Sequence, residues 1–245
     1  MSTHIGAGYG SEFHLMRYLA RYRNRLNRRI EEKTGGRVIE WLDFLPGKPA
    51  QYDMSVPCKP KLPDRELVGL KFLKGTREYA ELAREWARFW PPSGNEQNWD
   101  AVAKMDISGV EHWLLVEAKA NTQEIKSNCT AESESSIKTI DDALREMCEA
   151  FRMKPKGNLK KGYYQYANRL AVLHFLKEHN TPAKLLFIYF VGDKNPEKEE
   201  SCPKSPKGWE KALMEQYDSI GLDPEKKKTT GVIDLFLDVV PSEAW

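Results

Sequence analysis

The stretch Asn98–Asn121, NWDAVAKMDISGVEHWLLVEAKAN, constrains this chain more than any other. It reads as two strands joined by a tight turn. Asn98 to Met105 forms the first strand, Asp106-Ile107-Ser108-Gly109 has turn chemistry, and Glu111 to Ala120 carries the continuous apolar run Trp113-Leu114-Leu115-Val116 of a buried strand. Centring the turn between Ser108 and Gly109 sets Asp100 opposite Glu117 in an antiparallel register. Side chains alternate faces with period 2, so Glu117, Lys119 and, across the hairpin, Asp100 share one face. Asp106, the competing acid, falls in the turn, far from Glu117. Two carboxylates and a lysine at the end of a hydrophobic strand are costly unless paired, hydrated or bound to a cation.

Such a set has a definite chemistry. Carboxylate oxygens hold Mg²⁺, a cation that keeps several waters and binds phosphate oxygens. The metal acidifies a water and neutralises charge on a scissile phosphate, and a nearby lysine orients that water or stabilises the developing oxyanion. Asp100 followed by Glu117-Ala118-Lys119 resembles the PD-(D/E)XK nuclease superfamily, whose motif is an acid and a (D/E)xK on paired strands. The residue before the acid is Trp99 rather than proline. The resemblance covers the hairpin and the αβ elements from about residue 66 to 191. It implies Asp100, Glu117 and the Ala118 backbone carbonyl as ligands of Mg²⁺ or Mn²⁺, with Lys119 as catalytic lysine. The chain is also similar to a group of bacterial proteins through its WDAV, LVEAKA, YQYANRLA and FVGD segments, a likeness that names no substrate. On residue types alone, the same charges also read as a solvated strand face or a plain cross-strand Lys–Glu pair.

Further positions follow from the resemblance. The helix before the hairpin often supplies one more acid in that superfamily, which points to Glu81 or Glu85. Glu124 is close enough in sequence to Lys119 to reach the same pocket. One exonuclease-like branch has a Gln followed four residues later by Tyr on the helix after the ExK strand. Gln165 matches the first, but Arg169 stands at the second position. For each of Glu81, Glu85 and Glu124, the plain alternative is a solvated surface glutamate.

Composition sets wider bounds. At 245 residues the chain suits one well-buried domain with embellishments, and a net charge of only +2 names no partner by itself. Cys58, Cys129, Cys148 and Cys202 are far apart and form no CxxC, so we expect a reducing compartment and no structural zinc. The N-terminal sequence lacks a secretory pattern, and the apolar run Leu185–Val191 is too short to span a bilayer. A cytoplasmic protein without a membrane partner is expected, with a homodimer allowed for.

Along the chain, Ser11 to Lys33 predicts one amphipathic helix with an apolar stripe of Leu15, Leu19, Tyr22, Leu26 and Ile30. Arg17, Arg21, Arg25 and Arg28 form a second stripe at the same spacing, which is either a phosphate-contacting surface or a solvated face. Arg37 to Leu45 reads as a strand, and Pro46 to Asp64 as a proline-rich surface loop. Glu66 to Trp90 is expected as helix, ended by Pro91-Pro92. A polar excursion spans 121–136, helices cover Ile137–Met153 and Gly162–His179, and His174 reads as a packed core histidine. Ala183–Val191 is the best strand and belongs beside the Glu117 strand. Trp209–Ile220 is a helix and Val232–Val240 a final edge strand.

The expected architecture is α/β: a restriction-endonuclease-like mixed β-sheet flanked by helices, a single domain with N-terminal helix and loop embellishments. Residues 1–65 form the basic helix, strand and loop packed on a core of 66–245. Two functions stay open. One is a metal-dependent phosphodiesterase cleaving nucleic acid, DNA before RNA. The other is a catalytically inactive nucleic-acid-binding or interaction protein that retains the fold.

Overall fold

Ser108 and Gly109 adopt φ of 54° and 83° between Ile107 and Val110. Positive φ at both loop positions is the primed two-residue hairpin turn that matches strand twist. Asp106 Oδ1 accepts the Gly109 N–H at 3.1 Å, so the rival acid closes the turn. We describe a computed structural model of the protein, covering residues 8–42, 66–92 and 96–241. The expected proline-rich loop, Pro46 to Asp64, lies outside the described residues.

The turn fixes the register of β4 (Ala101–Ile107) on β5 (Val110–Lys119), pairing Ile107 with Val110 and Ala101 with Val116. The Asp100 N–H donates to Val116 O at 3.1 Å, so Asp100 stands level with Glu117 as the turn position requires. β5 runs parallel to β6 (Ala183–Val191), with Glu117 beside Phe187. β6 runs parallel to β7 (Val232–Asp238), and β1 (Arg37–Trp41) pairs antiparallel with β4. The order β1-β4-β5-β6-β7 makes one mixed five-stranded sheet in a single α/β domain, with β6 inside and β7 at an edge as the sequence indicates.

Helices cover both faces, which is why β5 and β6 read as unbroken apolar runs. On one face Leu114, Val116, Ile188 and Phe190 pack against Leu15, Leu19, Leu26 and Ile30. On the other, Leu115, Phe187 and Tyr189 pack against α4 (Glu134–Phe151), α5 (Tyr164–Glu178) and α6 (Pro206–Ile220). Val102 and Leu115 belong to this second face, and alternation puts Asp100, Glu117 and Lys119 with them, under α5. His174 is buried with its Nε2 2.9 Å from Glu146 Oε1, a core histidine with a partner. A short α7 (Pro224–Thr230) precedes β7.

Three expectations need correction. The N-terminal helix is two, α1 (Ser11–Arg21) and α2 (Arg23–Thr34), broken at Tyr22 with φ −120° and ψ 28°. Arg23 Nε donates to Leu19 O at 2.8 Å, so a side chain takes the carbonyl that the next backbone N–H would have bonded. The segment from Glu66 is not helical until α3 (Tyr79–Phe89): Leu67–Val68 forms β2 and Lys71–Leu73 a 3₁₀ turn. Gly69 and Gly75, at φ 55° and 102°, hold conformations that a right-handed helix excludes. The first hairpin strand is also interrupted. Asn98–Trp99 forms β3, which leaves the main sheet to pair with β2, and the break falls on Asp100. Trp99 Nε1 anchors this departure by donating to Gly69 O at 2.9 Å.

Among the described residues, no helix is long and apolar enough to cross a membrane.

Candidate active site

The break at Asp100 creates the site. Beyond Ala101, β5 has no strand beside it on that edge, and Ala118 would lose its backbone acceptor. Asp100 replaces it: Oδ2 accepts the Ala118 N–H at 2.6 Å. A strand residue directs its N–H and C=O to the same side, so the Ala118 carbonyl also faces the gap that β3 vacates.

Glu117 is 1% exposed and fully engaged. Oε1 accepts from Lys119 Nζ at 2.5 Å and Gln165 Nε2 at 2.8 Å. Oε2 accepts from Arg169 Nε at 2.9 Å and lies 2.8 Å from Arg169 Nη2. Gln165 and Arg169 are four residues apart on α5, hence on one helix face, aimed at the same carboxylate. Arg169 is itself fixed on three sides. Nη1 donates to Asn168 Oδ1 at 2.9 Å, Nη2 to Asn98 O at 2.5 Å, and the guanidinium lies 4.9 Å from the centre of the Trp99 ring.

These neighbours push the two acids apart. Burial raises the Glu117 carboxyl, but Arg169 and Lys119 more than reverse it, so Glu117 is held below the usual carboxylate range. Asp100 goes the other way. Burial and the charge of Glu117 push it well above its ordinary value, with only partial relief from Lys119 and the Ala118 N–H.

Asp100, Glu117, Lys119, Gln165 and Arg169 line a cavity of about 720 Å³, within the size range of small-ligand sites. Ser127, Asn128, Thr130 and Ser133 add neutral polar groups to its wall. Among the described residues, the wall carries five carboxylates, Glu66, Glu96, Asp100, Glu117 and Glu132, against two cations, Lys119 and Arg169. Both cations are already bound to Glu117, so an anionic ligand needs a further positive charge to enter.

The other candidates lie elsewhere or do other work. Glu81 is exposed in the first turn of α3, and Glu85 pairs with Arg88 at 2.8 Å. Neither borders the cavity, because the helix expected from Glu66 begins only at Tyr79. Glu124 turns back on its own loop, accepting from Ala120 N at 2.8 Å and Asn121 Nδ2 at 2.6 Å, and so shapes the segment after Lys119 from behind. Of the arginine stripe, Arg17 donates to Val239 O at 3.2 Å, and Arg17 and Arg21 lie over the Tyr22 ring. Arg25 is half-buried and Arg28 exposed, and none of the four borders the cavity. Lys119 is 9% exposed, more enclosed than a residue at a strand mouth.

Arg169 was legible in sequence only as the residue departing from the Gln-x-x-x-Tyr pattern. Its role depends on α5 lying across β5, which local periodicity does not report. A second buried pair, His14 Nε2 to Asp193 Oδ1 at 2.8 Å, ties α1 to the end of β6 and had no local signal.

No family model, curated protein or solved structure matches the chain.

Cation binding can be tested against this donor set. Among the described residues, no group of three or more His, Cys, Asp or Glu side chains could hold a metal ion. The side-chain donors are therefore a pair, Asp100 and Glu117, with the Ala118 carbonyl as third oxygen. Asp100 fits a cation, since its raised carboxyl reflects negative charge that its surroundings leave poorly compensated. Glu117 fits at a cost. A carboxylate offers about four acceptor positions, and Lys119, Gln165 and Arg169 occupy them, so one must yield.

Proposed function

We propose that this chain is a metal-dependent phosphodiesterase of the PD-(D/E)XK nuclease type, with a restriction-endonuclease-like fold, acting on DNA or RNA. The observation that carries the reading is the hairpin register. It sets Asp100 level with Glu117, on the same face as Lys119, where the strand beside β5 turns away and leaves a cavity.

Asp100, Glu117 and the Ala118 carbonyl would hold Mg²⁺ or Mn²⁺. When bound, the ion supplies a water of lowered pKa and positive charge for a phosphate oxygen. Lys119 is the group that yields on Glu117: its flexible stem lets Nζ move from Oε1 to the attacking water, whereas Arg169 is fixed by Asn98, Asn168 and Trp99. Arg169 and Gln165 hold the Glu117 carboxylate in one orientation. The excess of carboxylates around the cavity supports a cation as the entry requirement for a polyanion.

The test is cleavage of single- and double-stranded DNA and RNA with Mg²⁺, Mn²⁺ and chelator, beside Glu117→Gln. Metal-dependent cleavage lost in Glu117→Gln is expected. Absence of cleavage on every substrate with either metal overturns the reading.

A second reading has its own support. Glu117 is satisfied by Lys119, Gln165 and Arg169 without any cation, as in an inactive binding protein that keeps the fold for packing. The melting temperature in millimolar Mg²⁺ or Mn²⁺ separates the two, because a cation bound only by the folded state shifts unfolding by mass action. A shift absent in wild type favours the binding protein.

A further inference from the structure

The cavity extends beyond the acidic pair to a wall the proposed chemistry does not use. Gln97 is 3% exposed and borders the cavity. Its backbone is committed, with Gln97 O accepting the Gly69 N–H at 2.7 Å. Its side chain is not: neither Nε2 nor Oε1 has a hydrogen-bond partner among the described residues. A buried amide without partners costs free energy in the folded protein. A cavity-wall position offers a reason for keeping it, a ligand that supplies both bonds.

The surroundings define that ligand. Trp90 and Pro91 give this wall apolar surface, and Glu66 and Glu96 add acceptors. Glu96 already lies 3.5 Å from Lys71 Nζ. The cavity's two cations, Lys119 and Arg169, are both engaged at Glu117. Flat apolar surface, one unpaired amide and acceptor oxygens match the edge of a heterocyclic base. An amide gives one donor and one acceptor side by side, the pattern that pairs with a base edge. The added carboxylate acceptors favour an edge with an amino donor and repel one rich in carbonyls.

We propose that the Gln97 wall receives an unpaired nucleobase carrying an exocyclic amino group, adenine or cytosine, in preference to uracil or thymine. The proposal rests on the phosphodiesterase reading of the same cavity: the base sits against Gln97 while its phosphate reaches Asp100 and Glu117. A paired base has its hydrogen-bonding edge occupied, so the substrate is single-stranded or locally unpaired at this nucleotide.

The experiment is fluorescence titration of the whole chain with adenosine, cytidine and uridine 5′-monophosphates in Mg²⁺, on wild type and Gln97→Leu. Wild type should bind the adenosine and cytidine nucleotides about fivefold or more tightly than the uridine one, and Gln97→Leu should bind all three within about twofold. The variant should melt no lower than wild type, since it removes an unpaired buried amide. Equal binding of the three nucleotides by wild type, no binding of any, or a preference that survives Gln97→Leu overturns the proposal. Should Gln97→Leu fail to fold, Gln97→Met takes its place, and the wild-type ranking still decides. Cleavage is scored separately. A Gln97-dependent preference in a protein that cleaves nothing retains the base site and removes the nuclease reading. Cleavage without the preference does the reverse.

Discussion

Arg169 sets both Nε and Nη2 against Oε2 of Glu117, at 2.9 and 2.8 Å, although the two residues lie 52 positions apart in sequence. The pair joins α5 to β5 inside the protein, with both side chains almost wholly buried. Removing one partner of such a pair leaves an uncompensated buried charge. Arg169→Ala should therefore lose about 3–5 kcal/mol of unfolding free energy. Glu117→Gln/Arg169→Met should recover part of that loss, because the stranded charge has gone. Urea denaturation of both variants reads it, and an Arg169→Ala protein as stable as wild type would show that the pair carries no stability.

Asp100 makes the metal-free protein sensitive to pH. Its carboxyl in the folded state is raised well above the model value of 3.8 by burial and by Glu117. The folded protein then binds a proton more tightly than the unfolded chain. That stability is fully present below about pH 4 and is lost as pH rises through the raised value. In chelator, Asp100→Asn should flatten this part of the stability profile and raise the melting temperature near neutral pH by about 2–4 °C for each kcal/mol gained. The same variant should lose the melting shift from Mg²⁺ or Mn²⁺. A metal shift unchanged in Asp100→Asn/Glu117→Gln would locate the cation elsewhere.

Lys119→Ala separates chemistry from packing. Gln165 and Arg169 still hold Glu117 in this variant, so the chain should fold. Single-turnover cleavage should fall roughly 10²–10³-fold, the usual effect of losing one donor to a developing oxyanion. Metal affinity should change little or rise, since a neighbouring positive charge has gone. Wild-type cleavage by Lys119→Ala beside a dead Glu117→Ala would remove the lysine from the reaction.

The arginines of α1 and α2 are expected to meet the phosphate backbone outside the cavity. Arg21 and Arg28 are exposed. Arg21→Gln/Arg28→Gln should weaken binding of all sequences alike and reduce the slope of log K against log[salt] by about one unit per contact removed. An unaltered slope would make the stripe ordinary solvated surface.

The sequence by itself determined the hairpin. Asp-x-Ser-Gly chemistry admits a turn at Ser108-Gly109, and a two-residue turn leaves one register, which sets Asp100 against Glu117. Continuous apolar runs at 113–116 and 183–191 likewise determined that β5 and β6 are covered on both faces. These signals are local and periodic. What the tertiary structure decided is everything that depends on one element crossing another. The break at Asp100 arises because Trp99 is drawn away by Gly69, 30 residues earlier. Arg169 meets Glu117 because α5 crosses β5, and Gln97 remains without partners because its neighbours fold around a cavity. Turn geometry and face alternation act between adjacent residues and are written in order along the chain. Charge pairing and burial depend on distances in space, which only the packed sheet and helices establish.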